Sequence, residues 1–289
     1  MNILISLKEA ISKKSIYFFI GGAARSGTTL LQAILCSDKT TNPLISEAAP
    51  FRFILETYDK NKRLYEKFPG MYFDNIDELN NFYSQLLQLF LEYLRNKYSC
   101  KNLVLKEPQL TKYFPLISIL LDNAKFLCMI RDPRATIASM IIWGEKMRLR
   151  GEKHFFQNRN MDELTYFYKS FYTPLFKYEK EEPSFKKRIL YIKYEDLVLN
   201  PQETISKIKQ FTGLSLSEFD PKKEWKKTKI DFQDKNLPIC DAITELYGKP
   251  ISTSRISVFK DILKKEEISV IEKKCALFFR RFGYDSKVF

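Results

Sequence analysis

One stretch constrains this chain more than any other: residues 15–37, with Lys14 before it, reading KSIYFFIGGAARSGTTLLQAILCS. Residues 16–20 form a short run of aromatic and β-branched side chains, the pattern of a parallel strand buried on both faces. Gly21-Gly22 interrupts it, and Gly27 follows five residues after Gly22. Thr28 to Leu35 then reads as a helix with Leu30, Leu31, Ile34 and Leu35 on its inner face. A strand, a glycine-rich turn and a helix start make an anion site. Glycine lets the backbone curl without Cβ clashes, and the helix presents its unpaired N–H groups and positive dipole end. Ser26, Gly27, Thr28, Thr29 and Arg25 are therefore the expected anion-binding residues. The spacing is that of a G-x-x-x-x-G-K-[ST] loop, except that Thr28 stands where that motif has Lys. Nucleoside triphosphatases use that Lys on the β- and γ-phosphates, so its replacement argues against ATP or GTP hydrolysis. Arg25 lies inside the loop instead, with a guanidinium that can fork onto phosphate or sulfate oxygens. The bland alternative is a glycine turn that binds nothing.

The rest of the chain repeats the alternation. Helices are expected over residues 50–58, 77–98, 110–121, 135–150, 161–181, 201–211 and 264–282, and strands over 103–105, 125–130 and 189–192. Residues 61–77, with a Pro69-Gly70 turn, and residues 151–160 are expected to be irregular. Strands alternating with helices predict an α/β fold: one P-loop-type parallel sheet flanked by helices on both faces, formed as a single domain over residues 1–289. In such sheets ligands bind at the carboxyl ends of the strands. Arg25, Lys106, Arg131 and Tyr194 each follow a predicted strand, so three cations and a phenol are expected at one sheet edge.

Composition narrows the partners. The 289 residues carry a formal charge of +13, a field that attracts anions. The basic residues are mostly Lys and dispersed, without an RNA- or DNA-binding motif, which weighs against nucleic acid as partner. Five cysteines are odd in number and widely spaced, with no CxxC pair. They indicate neither a zinc site nor a disulfide framework, fit a reducing cytoplasm, and lead to no metal being expected. No apolar stretch is long enough to span a membrane, and residues 1–15 lack the pattern of a secretory leader.

Three segments resemble the landmarks of the sulfotransferases that use 3′-phosphoadenosine 5′-phosphosulfate (PAPS). GGAARSGTTLLQAIL resembles that family's 5′-phosphosulfate loop. In RDPRATIAS, Arg131 and Ser139 stand eight residues apart, like the family's pair that grips the 3′-phosphate. Read alone, the same residues make a capping turn, with Asp132 accepting helix N–H groups and Ser139 bonding inside its own helix. YIKYEDL, followed by a helix ending in Gly213-Leu214, resembles the third landmark; the match implies that Tyr194 meets the adenine, against the plain reading of a core tyrosine. Glu195 and Asp196 read as structural. Lys249-Pro250-Ile251 and the following STSR resemble a late segment that closes over the nucleotide.

The resemblance also bears on the base. Many cytosolic members carry Lys-Thr-His where this chain has Lys106-Glu107-Pro108; Pro108 excludes that histidine mechanism at this site. Tyrosylprotein sulfotransferases carry Lys-Asp-Pro there, with a Glu shortly after the first helix as base. Glu47 lies in the matching region, one residue further along, and reads otherwise as a Glu beside a helix N-terminus. The implied catalytic residues are Glu47, Lys106 and Arg25, with PAPS as donor and a hydroxyl on a glycan, a peptide tyrosine or a small molecule as acceptor. The overall flavour is nearer the tyrosylprotein-like and bacterial members. The competing functions are a P-loop-like kinase and a non-catalytic anion-binding module. The lone histidine, His154, reads as a solvated loop residue, and residues 222–229 as a solvated Lys-rich face or a surface for an acidic substrate. The acceptor and the oligomeric state are not legible from the sequence.

Overall fold

The computed structural model describes residues 15–225 and 245–286. Half of the Lys-rich stretch at 222–229, Cys240 and most of residues 1–15 lie outside the described residues. Strand β1 (Tyr17–Gly22) is flanked by β2 (Leu103–Lys106) and β3 (Ala124–Ile130), and β4 (Ile189–Lys193) pairs with β3. The order is β2-β1-β3-β4, and every pairing is parallel. The reason is visible in β1. Tyr17 and Phe19 enter one apolar cluster and Phe18 and Ile20 another, so neither face is solvated. Such a strand reads as an unbroken hydrophobic run, because period-2 side chains are buried on both sides.

Helix α1 (Thr28–Cys36) packs on the second face. The first face is covered by α2 (Ala49–Lys67), α3 (Ile76–Tyr98) and α4 (Phe114–Leu120). It also carries α5 (Pro133–Leu149), α6 (Met161–Ser170) and α7 (Thr173–Glu181). After β4 come α8 (Tyr194–Leu199) and α9 (Pro201–Thr212), then the C-terminal α10 (Phe259–Ile262), α11 (Lys265–Lys274) and α12 (Ala276–Phe282). The chain passes from β1 to β2 on one side and to β3 on the other. The sheet therefore has its switch point between β1 and β3, where a crevice opens at the strand ends.

The expected elements are present with five local differences. Helix α2 runs on to Lys67 through a segment expected to be irregular. Its polar second half is held by the Asn61 side chain donating to Tyr83 Oη at 2.7 Å and by the Arg63–Asp59 pair at 2.5 Å. Residues 110–121 are a 3₁₀ turn, Pro108–Tyr113, followed by α4, because Pro115 restarts the helix. The 161–181 helix breaks at Phe171-Tyr172 ahead of Pro174, and the 264–282 helix breaks at Cys275. Helix α8 was not anticipated; it begins on the residue that leaves β4.

Candidate anion and transfer site

The loop after β1 is anchored before it is free to bind. Gly22 N–H donates to Thr111 Oγ1 at 2.6 Å. Ala23 N–H donates to Tyr172 Oη at 2.7 Å, which in turn donates to Met129 O at 3.0 Å. Gly22 has φ 135°, and a Cβ there would lie 2.5 Å from Met129 O on β3. Helix α1 then starts behind Gly27, which sits at φ 102° with no side chain capping the helix. Its first-turn N–H groups are of the kind that bind anions. A Cβ on Gly27 would meet the Tyr194 ring at 2.6 Å, so glycine is what lets that ring approach the loop. Ser26 is fully buried and, unlike Gly27, Thr28 and Thr29, does not line the cavity.

Three arginines converge above this loop. Arg25 adopts φ 72°, unusual for a residue with a side chain. Burial, then the neighbouring Arg131 and Arg255, bring its guanidinium down to about 10, while Glu47 acts in the other direction. Arg131 follows β3 and is 4% exposed. Its Nη1 donates to Arg25 O at 2.9 Å and its Nη2 to Arg255 O at 2.5 Å, and its Cζ lies 4.5 Å from the Tyr194 ring centre. Its buried Nε has no hydrogen-bond partner among the described residues. A buried cation facing carbonyls and a ring, with a donor left over, is a group that an anionic ligand would complete. Tyr194 holds its place at the start of α8, and the next residue, Glu195, is structural: it accepts from Asp132 N–H at 3.0 Å and Tyr284 Oη at 2.9 Å. Asp132 caps α5 through the Arg134 N–H, as the sequence reading allowed, so the capping turn and the arginine coexist.

The second cation comes from β2. Lys106 is 5% exposed, and its Nζ donates to Glu47 Oε1 at 2.7 Å. Ala48 N–H donates to Lys106 O at 3.0 Å, which ties the segment before α2 to the strand end. The Glu47 side chain is half exposed and lines the cavity. Its neighbour Glu107 is buried and pairs with Arg52 at 2.5 Å, so the two carboxylates have separate partners.

These groups surround one cavity of about 600 Å³. Arg25, Glu47, Arg131, Ser139, Tyr194 and Lys249 all line it; Lys106 reaches it through Glu47. Two features of its wall were missed. Trp225 and Tyr247, with ring centres 5.2 Å apart, close one side. His154 lies in the wall rather than in solvent, 4.2 Å from Trp143 and 4.6 Å from Phe156 between ring centres, edge-on to both. Its Nδ1 accepts the Phe156 N–H at 3.1 Å, so the neutral ring carries its proton on Nε2. Burial lowers its basicity. The one signal for this packing was Gly144 inside a helix: a Cβ there would lie 2.5 Å from the Phe156 carbonyl. Among the described residues no group of three or more metal-ligating side chains occurs, and no helix is long and apolar enough to cross a membrane.

Comparison with known proteins gives a consistent result. The family model described as Sulfotransferase family matches residues 18–218. The chain is 29% identical over 274 residues to protein-tyrosine sulfotransferase 2 of Gallus gallus, covering 91% of this chain and 64% of that protein. It is 30% identical over 202 residues to the protein-tyrosine sulfotransferase of Drosophila melanogaster, covering 67% and 37% respectively. The chain thus spans less than two thirds of the length of these relatives. In structure it is similar to the sulfotransferase domain of the curacin biosynthetic pathway, with TM-score 0.60, 17% identity and 94% and 98% of the two chains covered. The sulfotransferase domain of the Synechococcus PCC 7002 olefin synthase gives 0.57, 17%, 94% and 95%. At that identity the two structures establish the shared fold.

Proposed function

The chain belongs to the sulfotransferase family, and on that premise we propose that it moves a sulfuryl group from PAPS to an acceptor hydroxyl. The observation that carries this reading is the convergence of Arg25, Arg131 and the open front of α1 on one cavity with the Lys106–Glu47 pair at its edge. Thr28 in place of a loop Lys weighs against a triphosphate kinase.

The residues fit the donor. The α1 front with Thr28 and Thr29, together with Arg25, would hold the phosphosulfate; Arg131, whose Nε lacks a partner among the described residues, and Ser139 would hold the 3′-phosphate. Tyr194 and Lys249, both in the wall, would contact the rest of the nucleotide. PAPS supplies the sulfuryl group; its S–O bond to phosphate breaks as a new S–O bond to the acceptor oxygen forms. Glu47 accepts the hydroxyl proton, and the products are a sulfate ester and 3′-phosphoadenosine 5′-phosphate. Positioned general bases contribute ~10²–10⁴-fold. Lys106, whose Nζ lies 2.7 Å from Glu47 Oε1, stabilises negative charge that develops nearby. The relatives named protein-tyrosine sulfotransferase make a peptide tyrosine one candidate acceptor, alongside a glycan or a small alcohol.

The test is transfer of labelled sulfuryl from PAPS to a panel of glycan, tyrosyl-peptide and small-alcohol acceptors, paired with calorimetry of 3′-phosphoadenosine 5′-phosphate against ATP. Binding of the first nucleotide with transfer supports the proposal. Preference for ATP favours a kinase, and nucleotide binding without transfer to any acceptor favours an anion-binding module.

A further inference from the structure

The peptide unit that follows Arg131 is gripped from both sides. Its carbonyl accepts from Tyr168 Oη at 2.9 Å, and its N–H, on Asp132, donates to Glu195 Oε1 at 3.0 Å. Tyr168 comes from α6 and Glu195 from α8, and both are buried. Asp132 stands between β3 and α5, where neither the strand nor the helix supplies its N–H with a partner. Two buried side chains aimed at one peptide unit fix the point from which the Arg131 side chain starts.

Glu195 is itself held from far along the chain. Tyr284, 89 positions away, donates its Oη to Glu195 Oε2 at 2.9 Å. Gly283, at φ 65°, turns the chain out of α12, and the Tyr284 N–H closes that turn on Phe279 O at 3.0 Å. The Tyr284 ring then stands edge-on to Phe279, and Lys193 Nζ lies 4.6 Å from its centre. Each oxygen of the Glu195 carboxylate therefore meets a donor, one from the arginine side and one from the tail. Burial pushes this carboxyl up, and the Asp132 and Tyr284 donors work against that.

We propose that Tyr284 is a positioning residue for the nucleotide's 3′-phosphate, acting through Glu195 on the main chain of Arg131. The inference rests on the assignment of Arg131 to that phosphate. Arg131 has five N–H donors. Nη1 and Nη2 each spend one on the Arg25 and Arg255 carbonyls, and Nε has no partner among the described residues. The donors left over meet a phosphate only while the main chain behind them stays in place. Glu195 also adjoins Tyr194, whose ring centre lies 4.5 Å from Arg131 Cζ, so one carboxylate sets both the arginine and the ring beside it. Loss of the Tyr284 hydroxyl removes one of the two donors to a buried carboxylate and frees it to turn away from Asp132.

The test is calorimetry of the full chain with 3′-phosphoadenosine 5′-phosphate and with adenosine 5′-phosphate, which lacks the 3′-phosphate. Tyr284→Phe keeps the ring and removes only the hydroxyl. It is expected to raise the dissociation constant of the first nucleotide about three- to tenfold and to leave that of the second nearly unchanged. In steady state its KM for PAPS is expected to rise by the same factor at nearly constant kcat. Tyr168→Phe frees the other side of the same peptide unit and is expected to show the same selectivity. In an Arg131→Ala background Tyr284→Phe is expected to change neither affinity, because the group it positions is gone. Equal losses for the two nucleotides, no loss, or an undiminished effect in the Arg131→Ala background overturns the proposal. A wild type that binds both nucleotides equally overturns the assignment of Arg131 first, and this proposal with it.

Discussion

Lys106 Nζ donates to Glu47 Oε1 at 2.7 Å across 59 positions of sequence. The lysine is buried at the end of β2, while the carboxylate stands half in the cavity. One partner is thereby fixed by the sheet, and the other is presented to whatever binds. In the proposed reaction Glu47→Gln removes the proton acceptor and keeps the shape. It is expected to lower turnover ~10²–10⁴-fold while leaving affinity for 3′-phosphoadenosine 5′-phosphate nearly unchanged. Steady-state kinetics beside calorimetry check this; a fully active mutant places the base elsewhere.

Lys106→Ala removes a donor from the same place. Loss of one preorganised donor to developing charge costs roughly 3–4 kcal/mol in the barrier, about 10²–10³ in turnover. The expected signature is a fall in kcat larger than any rise in KM for the nucleotide, measured with saturating acceptor.

Arg131 is set between the Arg25 and Arg255 carbonyls and over the Tyr194 ring. Arg131→Ala is expected to weaken 3′-phosphoadenosine 5′-phosphate by about 1.5–3 kcal/mol, the range for a hydrogen bond to a charged group. Binding of the nucleotide lacking the 3′-phosphate is expected to change much less. Equal losses in calorimetry would remove Arg131 from the 3′-phosphate.

Gly27 combines φ 102° with 2.6 Å between a would-be Cβ and the Tyr194 ring. Gly27→Ala is expected to destabilise the protein by at least about 1 kcal/mol and to weaken nucleotide binding, because both the backbone and the ring must shift. Thermal unfolding and calorimetry on the one variant read both effects. A protein as stable as wild type would mean that Tyr194 moves aside at little cost.

His154 is the only histidine, and burial holds it below its ordinary 6.5. The unfolded chain therefore takes up the proton first. The stabilising contribution of the neutral ring, whose Nδ1 caps the Phe156 N–H, is present above about pH 6.5 and lost as pH falls through the folded value. Buried Glu107 and Glu195, which burial pushes up, act with the opposite sign, so the measurement is a difference. Between about pH 7 and pH 5, the unfolding midpoint of the wild type is expected to fall relative to that of His154→Asn, because only the wild type titrates there. Parallel midpoints would show that His154 does not sense its surroundings.

The sequence by itself determined the four strands, most of the helices and the loop. An aromatic run buried on both faces can only be an inner strand, and a Gly-x-x-x-x-Gly turn ahead of a helix leaves N–H groups exposed whatever the tertiary context. It also placed Arg25, Lys106 and Arg131 just after strands, and a parallel sheet gathers such positions at one edge. It could not fix what lies across the cavity. That Tyr194 fills the space Gly27 lacks, that Lys106 meets Glu47, and that His154 packs against Trp143 are contacts between segments far apart in the chain. Periodicity carries no information about such contacts, because it records which side of an element is buried and not what buries it. Helix α3 shows the same limit in reverse: helical spacing does not tell which of its apolar positions turn inward, and in the packed structure Leu79, Tyr83, Leu87 and Leu91 meet the core while Phe82, Leu86, Leu89 and Tyr93 stay exposed.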